Sequence, residues 1–264
     1  MIKFLSSLVF LILAVGFVAH VSSAADLLDG LVGYWPMNGN AKDRAGSNHG
    51  TFEGGVSTAV DAQRGSVLKV DGTDDYVSIP DSADFDIVGD FTVAFWMKPS
   101  SNFDSSSPAS MPPLGKYGSG DFQMIFTLIG SDYTVGIEGM DNLLAGGMDM
   151  KIEDKSDGNS FLYVGSLIDS WEADTWYHVT GVYVDVDATA HLYINGEFQN
   201  SSTTWDSTAA VLEKVGGNLE IGRTTLEQAG GAVKYFEGSL DDVALYGLLW
   251  TQMKSRSWRI LLPS

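Results

Sequence analysis

The chain has 264 residues, no cysteine, and 34 Asp and Glu against 15 Lys and Arg, which gives a net charge of −19. So acidic a chain is a poor partner for nucleic acid and for anionic membrane surfaces, because both attract cationic proteins. Disulfides are excluded, so the stability must come from a sizeable hydrophobic core, for which the length is sufficient.

The first 25 residues have the layout of a secretory signal peptide: Lys3 gives a basic start, residues 4–21 are almost wholly apolar, and residues 22–25 (SSAA) are small. The alternative is a transmembrane anchor, because the apolar run is about long enough to span a bilayer. The small residues, and the absence of a basic flank after them, favour cleavage. We therefore expect a secreted chain, extracellular or periplasmic, with no stable membrane insertion and, after loss of Lys3, a charge of −20.

The rest of the chain consists of short segments in which apolar and polar residues alternate, separated by Gly, Asp, Asn and Ser. This pattern predicts an all-β fold, an antiparallel two-sheet sandwich. The clearest element is a hairpin at Asn195-Gly196, since a type I′ turn requires positive φ at both central residues. The predicted strands cover residues 31–37, 66–70, 76–79, 91–97, 122–128, 133–137, 148–152, 161–164, 176–184, 190–194, 197–199, 218–221 and 235–246.

A single domain is predicted over residues 26–247, because too little chain follows it for a second one. Residues 100–120 are rich in Ser, Pro and Gly and predict a long loop within this domain. The tail, residues 248–264, is either a short helix packed on the sandwich or a poorly ordered end.

Five segments, taken in order, resemble the laminin-G-like and pentraxin-like jelly rolls of the concanavalin A type. They are residues 31–40 (LVGYWPMNGN), 68–79 (LKVDGTDDYVSI), 91–97 (FTVAFWM), 176–180 with 192–196 (WYHVT and LYING), and 236–246 (FEGSLDDVALY). The resemblance implies a jelly roll of two curved antiparallel sheets, usually non-catalytic and extracellular, that binds carbohydrate or protein ligands. Residues 102–159 and the tail depart from the family pattern.

The resemblance also implies a structural calcium ion at one edge of the sandwich, near an acidic residue at the start of the last strand. Strand alternation places Asp241 and Asp242 on opposite faces, and the apolar Val243 and Leu245 predict that Asp241 points inward. Carboxylate and amide oxygens are the ligands that calcium prefers. The alternative is that Asp241 accepts backbone N–H groups and that no metal binds. The candidate calcium ligands are Asp43, Asn38, Asp71, Asp241 and Asp242.

Two other acidic segments have simpler interpretations. Residues 71–75 (DGTDD) share their composition with an EF-hand loop but lack its length and its terminal Glu, so that a tight acidic turn is predicted. A second group is expected to form a solvated face, with a second cation site as the alternative; it comprises Asp149, Glu153, Asp154, Asp157 and Asp169.

A glycoside-active enzyme of the same superfamily is the alternative function. Glucanases of the related fold place their acid and nucleophile as alternating carboxylates on one strand. The nearest match is the pair Asp185 and Asp187, which follows a predicted strand and is expected to form a turn. Because this pair does not lie within a predicted strand, the chain is predicted not to be an enzyme.

Exposed aromatic side chains are the other candidates for ligand contact, because sugar rings stack on them through apolar C–H faces. Trp171, Trp205, Tyr117 and Tyr133 fall in or beside predicted loops and are the candidate ligand-binding residues. The sequence therefore predicts a secreted, non-catalytic domain that binds extracellular carbohydrate or protein. The candidate calcium ligands would hold a structural ion in the same domain. A purely structural or adhesive domain is a third interpretation.

Overall fold

The computed structural model describes residues 29–118, 121–133, 143–154, 160–203, 215–226 and 231–248. The predicted signal peptide, the tail beyond Leu248 and the candidate Trp205 lie outside these ranges. The strands of the described ranges, numbered in chain order, are β1 Leu31–Trp35, β2 Thr51–Glu53, β3 Ser57–Asp61, β4 Gly65–Asp71, β5 Tyr76–Ile79, β6 Phe91–Pro99, β7 Phe103–Asp104, β8 Met111–Gly118, β9 Asp121–Leu128, β10 Met148–Asp154, β11 Ser160–Gly165, β12 Ser170–Trp171, β13 Tyr177–Val184, β14 Thr189–Ile194, β15 Glu197–Thr203, β16 Leu219–Ile221, β17 Arg223–Leu226, β18 Ala232–Tyr235 and β19 Glu237–Tyr246.

Most of these strands belong to two antiparallel sheets. The larger sheet has the order β15-β14-β13-β6-β19-β4-β3, with β1 also paired to β19, and the smaller has the order β11-β10-β9-β8-β16-β5-β2. Two short ladders, β7 with β12 and β17 with β18, lie outside them. This arrangement confirms the predicted fold class, an antiparallel two-sheet jelly roll.

Alternate residues of the two sheets meet in one core. On β6 the side chains of Phe91, Val93, Phe95 and Met97 are buried there. Phe95 meets Phe126 of the smaller sheet edge to face, with ring centroids 5.3 Å apart. Burying one such side chain stabilises the fold by about 1.5–3 kcal/mol. The core can therefore provide the stability that a chain without cysteine requires.

The hairpin of β14 and β15 turns at the predicted residues. Asn195 and Gly196 have φ angles of 54° and 79°, as a type I′ turn requires. The side-chain oxygen of Asn195 also accepts a hydrogen bond from the backbone N–H of His178 at 2.9 Å, which ties the turn to β13. Leu192 and Ile194 of β14 are buried in the core, as their alternation predicts.

The predicted loop over residues 100–120 is wrong in its second half, which forms β8 in the middle of the smaller sheet. Pro112 and Pro113 conceal this strand in the sequence. The register of β8 against β9 shifts between Met111 and Leu114, so both prolines lie at an irregularity of the ladder. Proline is tolerated there because no N–H is needed for pairing.

Candidate functional site

Asp241 and Asp242 lie in a β-bulge of β19 and both contact Arg64. The register of β19 against β6 shifts directly after Asp241, and Asp242 has a φ angle of 47°. Leu240 and Val243, on either side of the pair, are both buried in the core. Asp241 is buried, as predicted, but Asp242 contacts the same guanidinium group instead of lying on the opposite face, because the bulge adds a residue and breaks the alternation.

Arg64 neutralises this acidic pair. Its Nε lies 2.6 Å from Oδ2 of Asp241, and its Nη2 donates to Asp242, which also accepts from the Tyr34 hydroxyl. The guanidinium carbon lies 4.2 Å from the centre of the Trp96 ring. Burial, and then the charge of Asp242, raise the pKa of Asp241 to about 7, while Arg64 acts in the opposite direction. An arginine thus supplies positive charge at the acidic pair for which the resemblance implies calcium.

Asp43 accepts backbone N–H groups, which is the role that the metal-free interpretation gave to Asp241. It is buried, and its Oδ1 accepts backbone N–H groups from Tyr34 at 3.0 Å and from Ala45 at 2.8 Å. Its Oδ2 accepts the N–H of Asn48 at 3.1 Å. Asn38, the proposed amide ligand, is exposed in the same loop. Asp43 therefore fixes the loop after β1 through backbone hydrogen bonds.

Asp71 begins the acidic turn between β4 and β5, and its Oδ1 accepts the N–H of Thr73 at 2.8 Å and of Asp74 at 3.4 Å. Oxygens of Asp71, Asp74 and Asp75 lie within 4.8 Å of one another; no other group of three acidic, His or Cys side chains in the described ranges is as close. The predicted turn is confirmed. The predicted calcium ligands do not assemble, since Asp71 is the only one of them in this group. Calcium binding itself stays a prediction.

Trp171 does not present an exposed ring, and the prediction that it does is wrong. It is 1% exposed, its indole N–H donates to the carbonyl of Gly146 at 2.9 Å, and its ring packs edge-on against Tyr177. The short ladder of β7 and β12 pairs it with Phe103, which draws it into the core. Its role is in packing.

Tyr133 and Tyr117 belong to a second apolar cluster, separate from the main core, and Tyr133 is only 5% exposed. The Tyr133 hydroxyl donates to Oδ2 of Asp149 at 2.6 Å. Tyr133 therefore packs and orients a carboxylate, and the prediction that its ring is exposed is wrong. Tyr117 is half-buried beside this cluster.

The predicted solvated face is wrong for Asp149 and Glu153, whereas Asp169 is exposed as expected and Asp157 lies outside the described residues. Asp149 and Glu153 alternate with Lys151 along β10 and are 1–2% exposed. Burial raises the pKa of Asp149 to about 7, although Tyr133 and Lys151 act in the opposite direction. Asp149 and Glu153 are thus two carboxylates on one strand, an arrangement that was not predicted from the sequence. The pair is closed to solvent, and Lys151 lies between its members.

Asp185 and Asp187, the nearest sequence match to a glucanase pair, form a 3-10 turn after β13. The predicted turn is confirmed. Their backbone is not extended there, so the two carboxylates do not follow the alternation of a strand.

A groove of about 350 Å³ lies between residues 101–111 and β18, and we call it the β18 groove. Its volume is within the range of roughly 300–1,000 Å³ of small-ligand sites. Gly72 forms part of its lining with a φ angle of 76°, where a Cβ atom would lie 2.9 Å from that of Glu237. The lining combines polar and apolar side chains, among them Ser101, Asn102, Glu237, Lys234, Met111, Val233 and Tyr235.

Asp132 ties the two sides of the groove together. Its Oδ1 accepts from both the N–H and the hydroxyl of Ser110 at 2.7 Å, and its Oδ2 lies 2.6 Å from Nζ of Lys234 on β18. Burial alone would raise the pKa of Asp132, but hydrogen bonds from Lys234 and Ser110 lower it below its ordinary value. On the other flank, Oδ1 of Asn102 accepts the N–H of Ala173 at 2.8 Å. The groove is therefore held in shape by the protein itself.

Tyr235 and the buried Phe103 are the aromatic residues of the groove lining, and the partly exposed ring of Tyr235 is held by neighbours. Its centroid lies 6.4 Å from that of Tyr76, and the Arg223 guanidinium lies 3.7 Å from the Tyr76 ring centre. Glu220 binds Arg223 at 2.9 Å and fixes its orientation. A held aromatic ring beside polar groups is an arrangement that can stack on a sugar and bond its hydroxyls.

The sequence does not predict this groove, because its lining comes from three separate parts of the chain, at Gly72, residues 101–111 and residues 233–237. One usable signal was present. Residues 101–110 are rich in Ser and Pro between predicted strands, and loops of this kind often carry binding residues.

The jelly roll and the preformed groove define a β-sandwich domain of the lectin-like class. The chain belongs to the concanavalin A-like lectin/glucanases superfamily, whose laminin-G family model matches residues 71–253. A comparison with curated proteins gives no significant match.

Solved structures with the same fold include binding domains of toxins. The binding domain of Paraclostridial Mosquitocidal Protein 1 is 13% identical with a TM-score of 0.56, over 87% of this chain and 52% of that one. The receptor binding domain of botulinum neurotoxin C/D mosaic serotype is 14% identical with a TM-score of 0.57, over 87% and 50%. This chain thus spans about half the length of these toxin domains.

A third similar structure is Domain 4 of AbnA, an extracellular arabinanase from Geobacillus stearothermophilus, in complex with arabinotriose. It is 15% identical with a TM-score of 0.54, over 82% of this chain and 91% of that domain. At such identities the comparisons establish a shared fold. In the described ranges no helix is long and apolar enough to cross a membrane.

Proposed function

We propose that this chain is a secreted, non-catalytic domain that binds an extracellular glycan in the β18 groove. The observation that carries the proposal is the preformed groove, in which the ring of Tyr235 adjoins the exposed polar side chains of Asn102 and Glu237. Carbohydrates present apolar C–H faces together with hydroxyl groups, and this lining offers a partner for each.

The polar groups of the groove have capacity for a ligand. Asn102 uses its amide oxygen to accept from Ala173, and among the described residues its NH₂ group has no hydrogen-bond partner. Glu237 accepts the Ser100 hydroxyl at one carboxylate oxygen and is otherwise exposed. A sugar hydroxyl can donate to Glu237 and accept from Asn102, because a hydroxyl is both donor and acceptor.

Other observations support the remaining parts of the proposal. The N-terminal 25 residues have the composition of a signal peptide, which supports secretion. Asp149 and Glu153 of β10 are closed to solvent, and Asp241 and Asp242 of β19 both contact Arg64, which supports a non-catalytic role. The similar arabinanase domain was solved with arabinotriose, which supports a glycan as the class of ligand.

The proposal is tested on a glycan array with the full secreted chain and two matched variants. Val233→Trp fills the groove, since Val233 lines it and is 48% exposed. Val60→Trp adds the same side chain at a residue of β3 that is 92% exposed and lies outside the groove lining. We expect array signals that Val233→Trp abolishes and Val60→Trp retains. Absence of any signal, or signals that Val233→Trp leaves intact, would overturn the proposal.

A further inference from the structure

The charges of the β18 groove point to the class of glycan it takes, an inference that rests on the proposed function. We propose that the groove selects uncharged glycans and rejects acidic ones such as uronates and sulfated sugars. Two observations carry this: the cations at the groove are already bound by carboxylates of the protein, and further carboxylates surround it.

Lys234 is the one cation among the described residues that line the groove, and it is not free for a ligand. Asp132 lies 2.6 Å from its ammonium group and is itself held by the N–H and hydroxyl of Ser110. The carboxylate of this ion pair is therefore fixed by Ser110. An acidic sugar would have to displace a carboxylate that the backbone holds in place.

Arg223, the next cation along this surface, is neutralised in the same way. Its Nε and Nη2 both donate to the carboxylate of Glu220, and its guanidinium plane lies over the Tyr76 ring. A guanidinium paired through two N–H groups has little capacity for a second carboxylate or sulfate.

Unpaired negative charge borders the groove at its other end. Glu237 lines the groove and is exposed, and its partner across the β4–β19 ladder is Asp71 of the acidic turn. Asp74, in the same turn, is exposed as well. Backbone partners in an antiparallel ladder are about 5 Å apart, so Asp71 lies close to Glu237 of the groove lining. An acidic sugar in contact with Glu237 would be repelled by these charges, most strongly at low salt.

The test measures affinity by isothermal titration for two sets of oligosaccharides, at low and at high salt. The uncharged set contains oligomers of cellulose, xylan, mannan and arabinan, and the acidic set contains oligogalacturonate and a heparin fragment. We expect an uncharged oligomer to bind at least about tenfold more tightly than any acidic one at low salt, with a smaller ratio at high salt because screening weakens repulsion. Equal or tighter binding of an acidic oligomer at low salt would overturn the inference and leave glycan binding intact. Binding of neither set would overturn the proposed function and the inference with it.

Two variants assign the selectivity to the groove. Asp132→Asn frees the partly buried ammonium group of Lys234. It should increase the affinity for the acidic set by about tenfold, since this cation can then pair with the ligand. Glu237→Gln removes an exposed carboxylate, and it serves as the test variant if Asp132→Asn does not fold. It should increase the affinity for the acidic set by about threefold. The matched control is Glu197→Gln, an exposed residue of β15 that does not line the groove. Unchanged selectivity in Glu237→Gln, with the fold intact, would contradict the assignment.

Discussion

Arg64 and Asp241 form an ion pair of 2.6 Å whose two side chains are 6% and 4% exposed. Arg64 belongs to the turn between β3 and β4, and Asp241 lies in the bulge of β19. The pair therefore fastens an edge hairpin of the larger sheet to the last strand. Asp242 adds a second contact to the same guanidinium group.

Replacing Arg64 should destabilise the fold strongly. Arg64→Met leaves the buried carboxylate of Asp241 and the partly buried one of Asp242 without their cation, and breaking a buried pair typically costs about 3–5 kcal/mol in the free energy of unfolding. Urea denaturation measures the loss, and Arg44→Met, at an exposed arginine, serves as the control with an expected change within about 0.5 kcal/mol. A loss below about 1 kcal/mol in Arg64→Met would show that the ion pair is not structural.

The parts of the fold that depend on neighbouring residues could be predicted from the sequence, and the parts that depend on irregular backbone could not. The Asn195-Gly196 turn was predictable because its φ angles are a property of two residues. The joint contact of Asp241 and Asp242 with Arg64 was not, since a single bulge residue breaks the alternation that would separate them. Pro112 and Pro113 concealed β8 for the same reason.

The candidate site was less predictable than the fold, because burial of an aromatic side chain depends on strand pairing. Trp171 is next to a loop in sequence, yet its pairing with Phe103 places it in the core. Tyr235 was assigned to a predicted strand and yet lines the groove, because the segment 101–111 lies beside it only in the folded chain. Position in the sequence therefore wrongly predicted that Trp171 and Tyr133 are exposed.

Asp149 should make the stability of the domain depend on pH. Its pKa in the folded chain is about 7, above the value of roughly 4 expected in the unfolded chain. Between these values the folded state retains a proton that the unfolded state has lost, so the stabilisation is complete below about pH 4 and decreases as the pH rises to about 7. Asp149→Asn cannot ionise, and it should gain stability relative to the wild type across this interval.

The measurement is the difference in the free energy of unfolding between wild type and Asp149→Asn at several pH values from about 4 to 8. Burial lowers the pKa of His178 to about 4, so His178 gives the opposite slope between about pH 4 and 6.5, but it is present in both proteins and cancels. A difference that does not change with pH would contradict the assignment of a raised pKa to Asp149.

Calcium binding, which the sequence predicts, is tested by thermal unfolding after treatment with EDTA. We expect added Ca²⁺ to raise the Tm by a few degrees, as any ligand of the folded state does. The double variant Asp71→Asn, Asp74→Asn should lose this rise, since these residues form the acidic group of the β4–β5 turn. The double variant Asp185→Asn, Asp187→Asn, in the turn after β13, is the control and should retain it. An unchanged Tm of the wild type on addition of Ca²⁺ would contradict the calcium prediction.

The most direct test of the central claim is isothermal titration of the best array glycan into the wild type and two tyrosine variants. Tyr235→Ala removes the ring from the groove, and Tyr193→Ala removes a half-buried ring on β14, outside the groove lining. If the glycan stacks on Tyr235, its Kd should increase at least about tenfold in Tyr235→Ala, a loss of about 1.4 kcal/mol, and remain unchanged in Tyr193→Ala. A folded Tyr235→Ala variant that binds the glycan as tightly as the wild type would contradict the claim that the β18 groove is the binding site.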